Sequence, residues 1–310
     1  MDRPILPPYL ALLIGVLAVS TSAIFVKLAS APPAIIATYR LIFSVLLTIP
    51  FLFFSKGVFP EIGRLNWKQW MLISLSGLFL ASHFVLWFES LRFTSVASST
   101  VLVTLQPLFA FVGGYFFFKE KVSFLGIVGG LIAILGSFVI GWGDFQVGGD
   151  ALFGDILALL GAGTVTAYWL IGQHIRKEIT MLTYTLLVYS TCSIFLLIYD
   201  LVMAYPLVGY PWSDWGWFFC LALIPTLLGH TIFNWVIKWL NTSTISMSIL
   251  GEPIGTSILA YFILGEIVTI PQYIGGAIIL AGIYLFIRYN VPTKGDTSNG
   301  SVATEAQNNS

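Results

Sequence analysis

Ten apolar runs, each long enough to cross about 30 Å of hydrocarbon, fill this chain at roughly 9–28, 34–54, 70–90, 97–118, 123–141, 154–172, 184–203, 215–237, 244–263 and 271–288. Only 9% of the residues are charged and 57% are hydrophobic, against roughly 25% charged in a soluble domain. The solvent of such a chain is mostly lipid. The fold class expected is all-α integral membrane, with ten transmembrane helices joined by connections too short to hold a soluble domain. The first run precedes Ala29-Ser30-Ala31, which imitates a cleavage site. It is too long for a typical signal-peptide core and is followed by Pro32, so it counts as a helix. Residues 291–310, rich in Asn, Ser, Thr and Gly, read as a disordered tail.

The chain repeats itself. Sliding the sequence by 146 positions brings Gln106-Pro107 onto Glu252-Pro253, Glu120 onto Glu266, Gly129-Gly130 onto Gly275-Gly276 and Gly136 onto Gly282. Each copy is an apolar run with a proline inside it, an acid at its end, and a second run carrying small residues. One offset that preserves Pro, Glu and three Gly indicates internal duplication. Lys and Arg then set the orientation, because they favour the cytoplasmic side. With the N-terminus inside, Arg3, Lys56, Arg64, Lys68, Lys119, Lys121, Arg176, Lys177, Lys238, Arg288 and Lys294 are inner, and Lys27, Arg40 and Arg92 are outer. Five helices per half force the second half to enter the membrane upside down, so two inverted five-helix repeats are expected. Their limits are 9–141 and 154–288, with a linker at 142–153 and a cytoplasmic tail from 289.

Polar residues inside these runs are the candidates for function, since each is expensive in lipid unless bonded or facing water. In the ninth run Thr244, Ser248, Glu252 and Thr256 recur every four residues and form one polar stripe, with Glu252 near mid-membrane. Glu252 reads as a coupling or substrate-binding acid, or as a hydrogen-bonded structural one. Gln106 is its counterpart in the first half. Pro107 and Pro253 each remove a backbone hydrogen bond and free a carbonyl, which makes them candidate hinges. His83 and Trp87 share a helical face, as do His230 and Asn234. Tyr168 shares a face with Gly161 and Thr164 and reads more readily as packing than as a ligand contact. Arg40 reads as snorkelling to the outer interface or as serving the substrate. Glu89 and Arg92 read as an interfacial ion pair. Ser20-Thr21-Ser22 bonds its own backbone or lines a cavity.

On the runs from Ser98 to Pro107 with Glu120, and from Ser246 to Pro253 with Leu264-Gly265-Glu266, the chain resembles the drug/metabolite transporter superfamily. The likeness is to its ten-helix branch with two EamA-type domains, over about residues 9–288. Lys27, the Pro32-Pro33 turn and Arg40 match the opening of the first domain, and Gly154-Asp155 that of the second. Lys119 departs from the pattern where a Gly usually precedes the acid, and a Trp-Gly-Ser frequent in the first helix is absent. The resemblance implies a secondary carrier of small organic metabolites, commonly an exporter of amino acids or drug-like compounds. In such a carrier the fourth and ninth helices are among the walls of a central cavity.

Three function classes compete. Alternating access needs inverted halves, broken helices at midplane and polar groups there, and all three are expected. A passive channel favours a repeated filter sequence, and none is visible. An intramembrane enzyme is not signalled: His83, His174 and His230 fall on separate runs, without H-E-x-x-H spacing or a G-x-S-x-G. No Walker A sequence occurs, so energy would come from a gradient, with a proton as the coupling ion that Glu252 suggests. The partners expected are a small-molecule substrate and the lipid bilayer. A homodimer stays open. Zero net charge without a basic cluster argues against nucleic acid. No cofactor is called for, and Cys192 and Cys220, both in or at helices, give no disulfide framework.

Overall fold

The structure is a computed structural model that describes residues 4–55, 57–141 and 149–290. Arg3, Lys56, Lys294, residues 142–148 of the linker and the tail from 291 lie outside the described residues. Ten spans follow in order: α1 (Pro8–Val19 and Ser22–Leu28), α2 (Pro33–Phe54), α3 (Trp67–Phe93), α4 (Val96–Val103 and Gln106–Phe118), α5 (Phe124–Ile140), α6 (Gly149–Ile175), α7 (Met181–Val202), α8 (Trp212–Leu221, Ala222–His230 and Thr231–Val236), α9 (Thr242–Ile249 and Glu252–Leu264) and α10 (Ile270–Asn290). A short helix, Val58–Gly63, lies between α2 and α3. Nine of these spans are at least 18 residues long and apolar enough to cross a membrane, and Phe124–Ile140 is a shorter apolar helix. Large apolar side chains such as Phe54, Phe117, Leu135 and Phe262 cover the outside, as a bilayer solvent requires.

The sequence repeat is reproduced at its helix limits. Shifted by 146 positions, both segments of α4 superimpose on both segments of α9, and the start of α5 falls on the start of α10. The caps match too. Ser95 accepts from the backbone N–H of Ser98 at 3.0 Å, and Asn241 from that of Thr244 at 3.0 Å, the side-chain cap expected where a helix leaves four orphan donors. At the other ends Lys119 and Gly265 adopt left-handed φ of 56° and 71°. The next N–H then folds back, from Glu120 to the Gly114 carbonyl (3.1 Å) and from Glu266 to the Ala260 carbonyl (3.3 Å). The Lys119 departure from the family's Gly therefore falls where a Cβ is disfavoured by roughly 1–2 kcal/mol.

Matching helices of the two halves run antiparallel. α5 packs on α10 through Gly129 against Gly282 and Gly136 against Gly275: an added Cβ would lie 2.8 Å from the Gly282 carbonyl oxygen in the first contact and 2.7 Å from that of Gly275 in the second. Each of these contacts is the image of the other under the 146-residue shift, which demands a two-fold axis between opposed helices. α2 and α7 likewise meet across this axis, where Thr38 donates to Asp200 at 2.5 Å. The halves are inverted relative to each other, and α4 and α9 lie side by side at the centre.

Candidate functional site

Both central helices break at matching points. Gln106 and Glu252 are the first residues of the second segments of α4 and α9, each with proline next, a position where the missing N–H costs little. At each break a hydroxyl of a crossing helix reaches the first carbonyl of the second segment. The Ser20 hydroxyl donates to the Glu252 carbonyl at 3.3 Å, and the Thr166 hydroxyl to the Gln106 carbonyl at 3.4 Å. Ser20 and Thr166 are themselves 146 positions apart. α1 is interrupted at Ser20 and Thr21, and the freed Ser20 carbonyl accepts from Thr256 at 3.1 Å. Gly255 admits this crossing, because an added Cβ there would lie 2.3 Å from Ser20 Oγ.

Between the breaks is a cavity of about 20 Å³, whose polar and aromatic lining comprises Ser22, Arg40, His83, Trp87, Gln106, Trp169, His230, Phe233 and Glu252. All of these are buried. The space suffices for about one water molecule. Arg40 is wholly buried; its Nε donates to Thr226 Oγ1 at 2.7 Å and its Nη1 to Ser22 Oγ at 2.9 Å. Its guanidinium stands 4.3 Å over the Phe84 ring, a cation–π contact. Thr226 sits in the π-helical stretch Ala222–His230, which contains Pro225, and its hydroxyl donates to the Leu221 carbonyl at 2.8 Å. His83 Nδ1 donates to the Gly161 carbonyl at 2.9 Å. The rings of His83 and Trp87 stack at 5.7 Å, and those of Trp169 and His230 at 5.6 Å.

Polar capacity around the cavity is left over. Arg40 Nη2, Trp87 Nε1, Trp169 Nε1, Gln106 Oε1 and His230 Nδ1 are buried with no hydrogen-bond partner, and all five residues line the cavity. Each such group costs roughly 1–3 kcal/mol when left unpaired, so their concentration at one place makes this cavity the candidate site. The Glu252 carboxylate forms no hydrogen bond or ion pair among the described residues. The site thus offers three donors, on Arg40 and two indoles, beside two acceptors, on Gln106 and Glu252, and His230 Nδ1, which can act as either. Among the described residues no His, Cys, Asp and Glu cluster could hold a metal ion.

Comparison with known proteins agrees with this architecture. Residues 6–142 and 152–288 each match the EamA-like transporter family. The chain belongs to that family. Over 275 residues it is 22% identical to an uncharacterized transporter of Archaeoglobus fulgidus, covering 89% of this chain and 94% of the relative. Over 288 residues it is 23% identical to the uncharacterized transporter YdfC of Bacillus subtilis, covering 92% of each. A crystal structure of a protein shares the fold, with a TM-score of 0.73 at 18% identity over 90% of this chain and 95% of that one.

In this EamA-like transporter the sequence candidates separate into two groups. Glu252, Gln106, His83, Trp87, His230 and Arg40 converge on the cavity, and Pro107 and Pro253 follow the breaks. Arg40 does not snorkel to an interface, since Thr226, Ser22 and Phe84 hold it inside. Of the stripe expected along α9, interrupted at Leu250 and Gly251, only Glu252 lines the cavity. Thr244 caps back to Asn241, Ser248 lines a groove on the lipid side, and Thr256 bonds Ser20. Tyr168 and Asn234 bond each other at 2.7 Å away from the cavity. The expected Glu89–Arg92 ion pair forms, at 3.1 Å. Ser22 lines the cavity, one of the two readings of its cluster, and Trp169 and Phe233 line it without a sequence signal for it. Trp169 adjoins Tyr168 on the same helix, and a periodicity argument weighs only one face at a time.

Proposed function

We propose that this EamA-like transporter is a secondary-active carrier that exports small organic metabolites, such as amino acids or drug-like compounds, across the cytoplasmic membrane. Its two repeats, near residues 9–141 and 154–288, rock against each other to give alternating access. The observation that carries this reading is the buried cavity where both broken helices meet, with an acid, a guanidinium and five unpartnered polar atoms around it. A cavity of about 20 Å³ holds no metabolite, so cargo enters only when the walls move, as a carrier requires and a static pore does not. Both termini are cytoplasmic in this reading. Burial of Arg40 strengthens that charge argument, because it leaves Lys27 and Arg92 as the outer cations.

Glu252 is the acid that couples the carrier to protons or pairs with the cargo. Glu252→Gln makes the halves chemically alike while keeping size and hydrogen bonding. In liposomes assayed from mildly acidic to mildly alkaline pH, the variant reaches the membrane normally. It loses transport by at least about a hundredfold, or loses its pH dependence, as removal of an essential proton-transfer group does. Equal rates and pH profiles for variant and parent would remove the assignment.

A further inference from the structure

The acid that ends α4 is a latch. The Glu120 carboxylate accepts from Gln173 Nε2 at 2.5 Å and from Ser243 Oγ at 2.9 Å, and Gln173 Oε1 accepts from the backbone N–H of Thr242 at 2.6 Å. One side chain thereby ties α4 of the first half to α6 and α9 of the second. The carboxylate lies across Gly114, where an added Cβ would stand 2.6 Å from Glu120 Oε2. These contacts hold the helices together at one end of the molecule, called here the Glu120 end.

At the opposite end the same parts are present and apart. The 146-residue shift carries Glu120 onto Glu266, Gln173 onto Lys27 and Gly114 onto Ala260. Glu266 leaves the same kind of left-handed cap as Glu120, with the matching backbone hydrogen bond. Both Lys27 and Glu266 are exposed, and they form no ion pair with each other. Lys27 borders a cleft of about 620 Å³ together with Pro32, Phe88, Arg92 and Tyr205. The Glu120 end is therefore tied across three helices, and the Lys27–Glu266 pair at the other end is not made.

We propose that Lys27 and Glu266 form the latch of the Glu266 end in the alternate state, when the Glu120 latch is released. The inference rests on the alternating-access reading. If the two states are images under the internal two-fold, Lys27 and Glu266 come to occupy the positions that Gln173 and Glu120 hold here. The chemistry is compatible with the exchange. Ala260 puts a methyl group where Gly114 leaves room for the carboxylate, which holds Glu266 further out, and lysine is longer than glutamine. The sequence has Ala97 where the Glu120 end has Ser243, so a hydroxyl bond is replaced by a charge pair. Bonds to the carboxylate are charge-assisted at both ends, and at the Glu266 end the partner carries charge as well.

Thiol crosslinking of the full chain in membranes tests the approach of the two ends. Lys27→Cys with Glu266→Cys is placed in a chain whose Cys192 and Cys220 are alanine. In the otherwise unaltered chain, with the Glu120 contacts intact, this pair crosslinks weakly. Releasing the Glu120 end with Ser243→Ala and Gln173→Ala raises crosslinking of Lys27→Cys to Glu266→Cys by about tenfold, the population shift expected from losing hydrogen bonds to a charged group. Charge reversal tests the pairing: Lys27→Glu and Glu266→Lys each slow transport, and the double variant restores it. Crosslinking that stays weak after release, or a double variant no better than the singles, overturns the latch. Crosslinking needs no cargo, so the outcomes separate. Switching with transport indifferent to Glu252→Gln removes the cavity assignment alone, and Glu252-dependent transport without switching removes the latch alone.

Discussion

At the break in α4 an amide, Gln106, reaches the cavity; at the break in α9 a carboxyl, Glu252, does so from the matching position. The backbone device is shared down to the proline that follows, the cap that precedes and the crossing hydroxyl that satisfies the carbonyl. What differs is the charge and what surrounds it. Near Glu252 lies Arg40, brought in by α2, and the position of the second half that matches Arg40 is Leu186. Duplication thus supplied two equivalent breaks, and neither Arg40 nor Glu252 has an ionisable counterpart in the other half. In the alternating-access reading proposed above, the paired breaks serve two states related by the internal two-fold, and the one acid, Glu252, serves both.

The largest test of this contrast removes the countercharge. Arg40→Met takes away the buried cation that shares the cavity with Glu252 and, with its bonds to Thr226 and Ser22 and its attraction to the carboxyl group both lost, should lower stability by about 2 kcal/mol. Thermal unfolding of the detergent-purified protein measures it. In a Glu252→Gln background, where both breaks carry amides, the same substitution should cost only about 1 kcal/mol, the worth of the lost hydrogen bonds. Equal losses in the two backgrounds would make Arg40 a peg for Thr226 and Ser22 and break the charge contrast.

The shared backbone is tested at the axis between the repeats. A Cβ at Gly136 would lie 2.7 Å from the Gly275 carbonyl oxygen, and one at Gly282 would lie 2.4 Å from the Ala133 nitrogen. Gly136→Ala and Gly282→Ala should each cost roughly 1–3 kcal/mol by overpacking against rigid backbone, and by similar amounts. Gly216→Ala, which meets nothing within 4 Å, should change little. Midpoints of thermal unfolding for the three variants check it. Unequal losses at Gly136 and Gly282 would mean that the two-fold holds in sequence but not in energy.

Much of this architecture is legible in the sequence, because it rests on local chemistry. The Pro107 and Pro253 breaks, the matching helix limits and the repeat offset follow from residues that act on their own backbone or recur at fixed spacing. The polar stripe on α9 fails for the same reason. A four-residue period assumes an unbroken helix, and the Gly251-Glu252-Pro253 break ends that assumption in the middle of the pattern. The interruption of α1 has no proline or glycine to announce it; it is made by Ser20 and Thr21 meeting α9, a contact across 232 residues. Arg40 was ambiguous for a related cause, since Thr226, its hydrogen-bond partner, lies 186 residues away. Long-range convergence, unlike capping, leaves no local periodicity to read.

The smallest expected effect concerns the two hydroxyls that complete the breaks. Ser20 and Thr166 each donate to a carbonyl of their own helix at 2.8 Å as well as to the longer contact at the break. The cross-helix bonds, at 3.3 and 3.4 Å, are at the weak end of the range. Their surroundings differ, however. α6 runs unbroken through Thr166, whereas α1 is interrupted at Ser20, whose carbonyl depends on Thr256. Ser20→Ala therefore loosens a crossing in which both helices are broken, and should cost about 1 kcal/mol. Thr166→Val removes a bond from a continuous ladder and should cost about half as much. Amide hydrogen exchange separates the cases better than unfolding does. Ser20→Ala should speed exchange at Gly255 and Thr256, where the second segment of α9 begins, while Thr166→Val leaves the corresponding amides of α4 near the parent rate. Matched acceleration at both breaks would show that the interruption of α1 adds nothing to the second half, and the two hinges would then be mechanically alike as well as geometrically so.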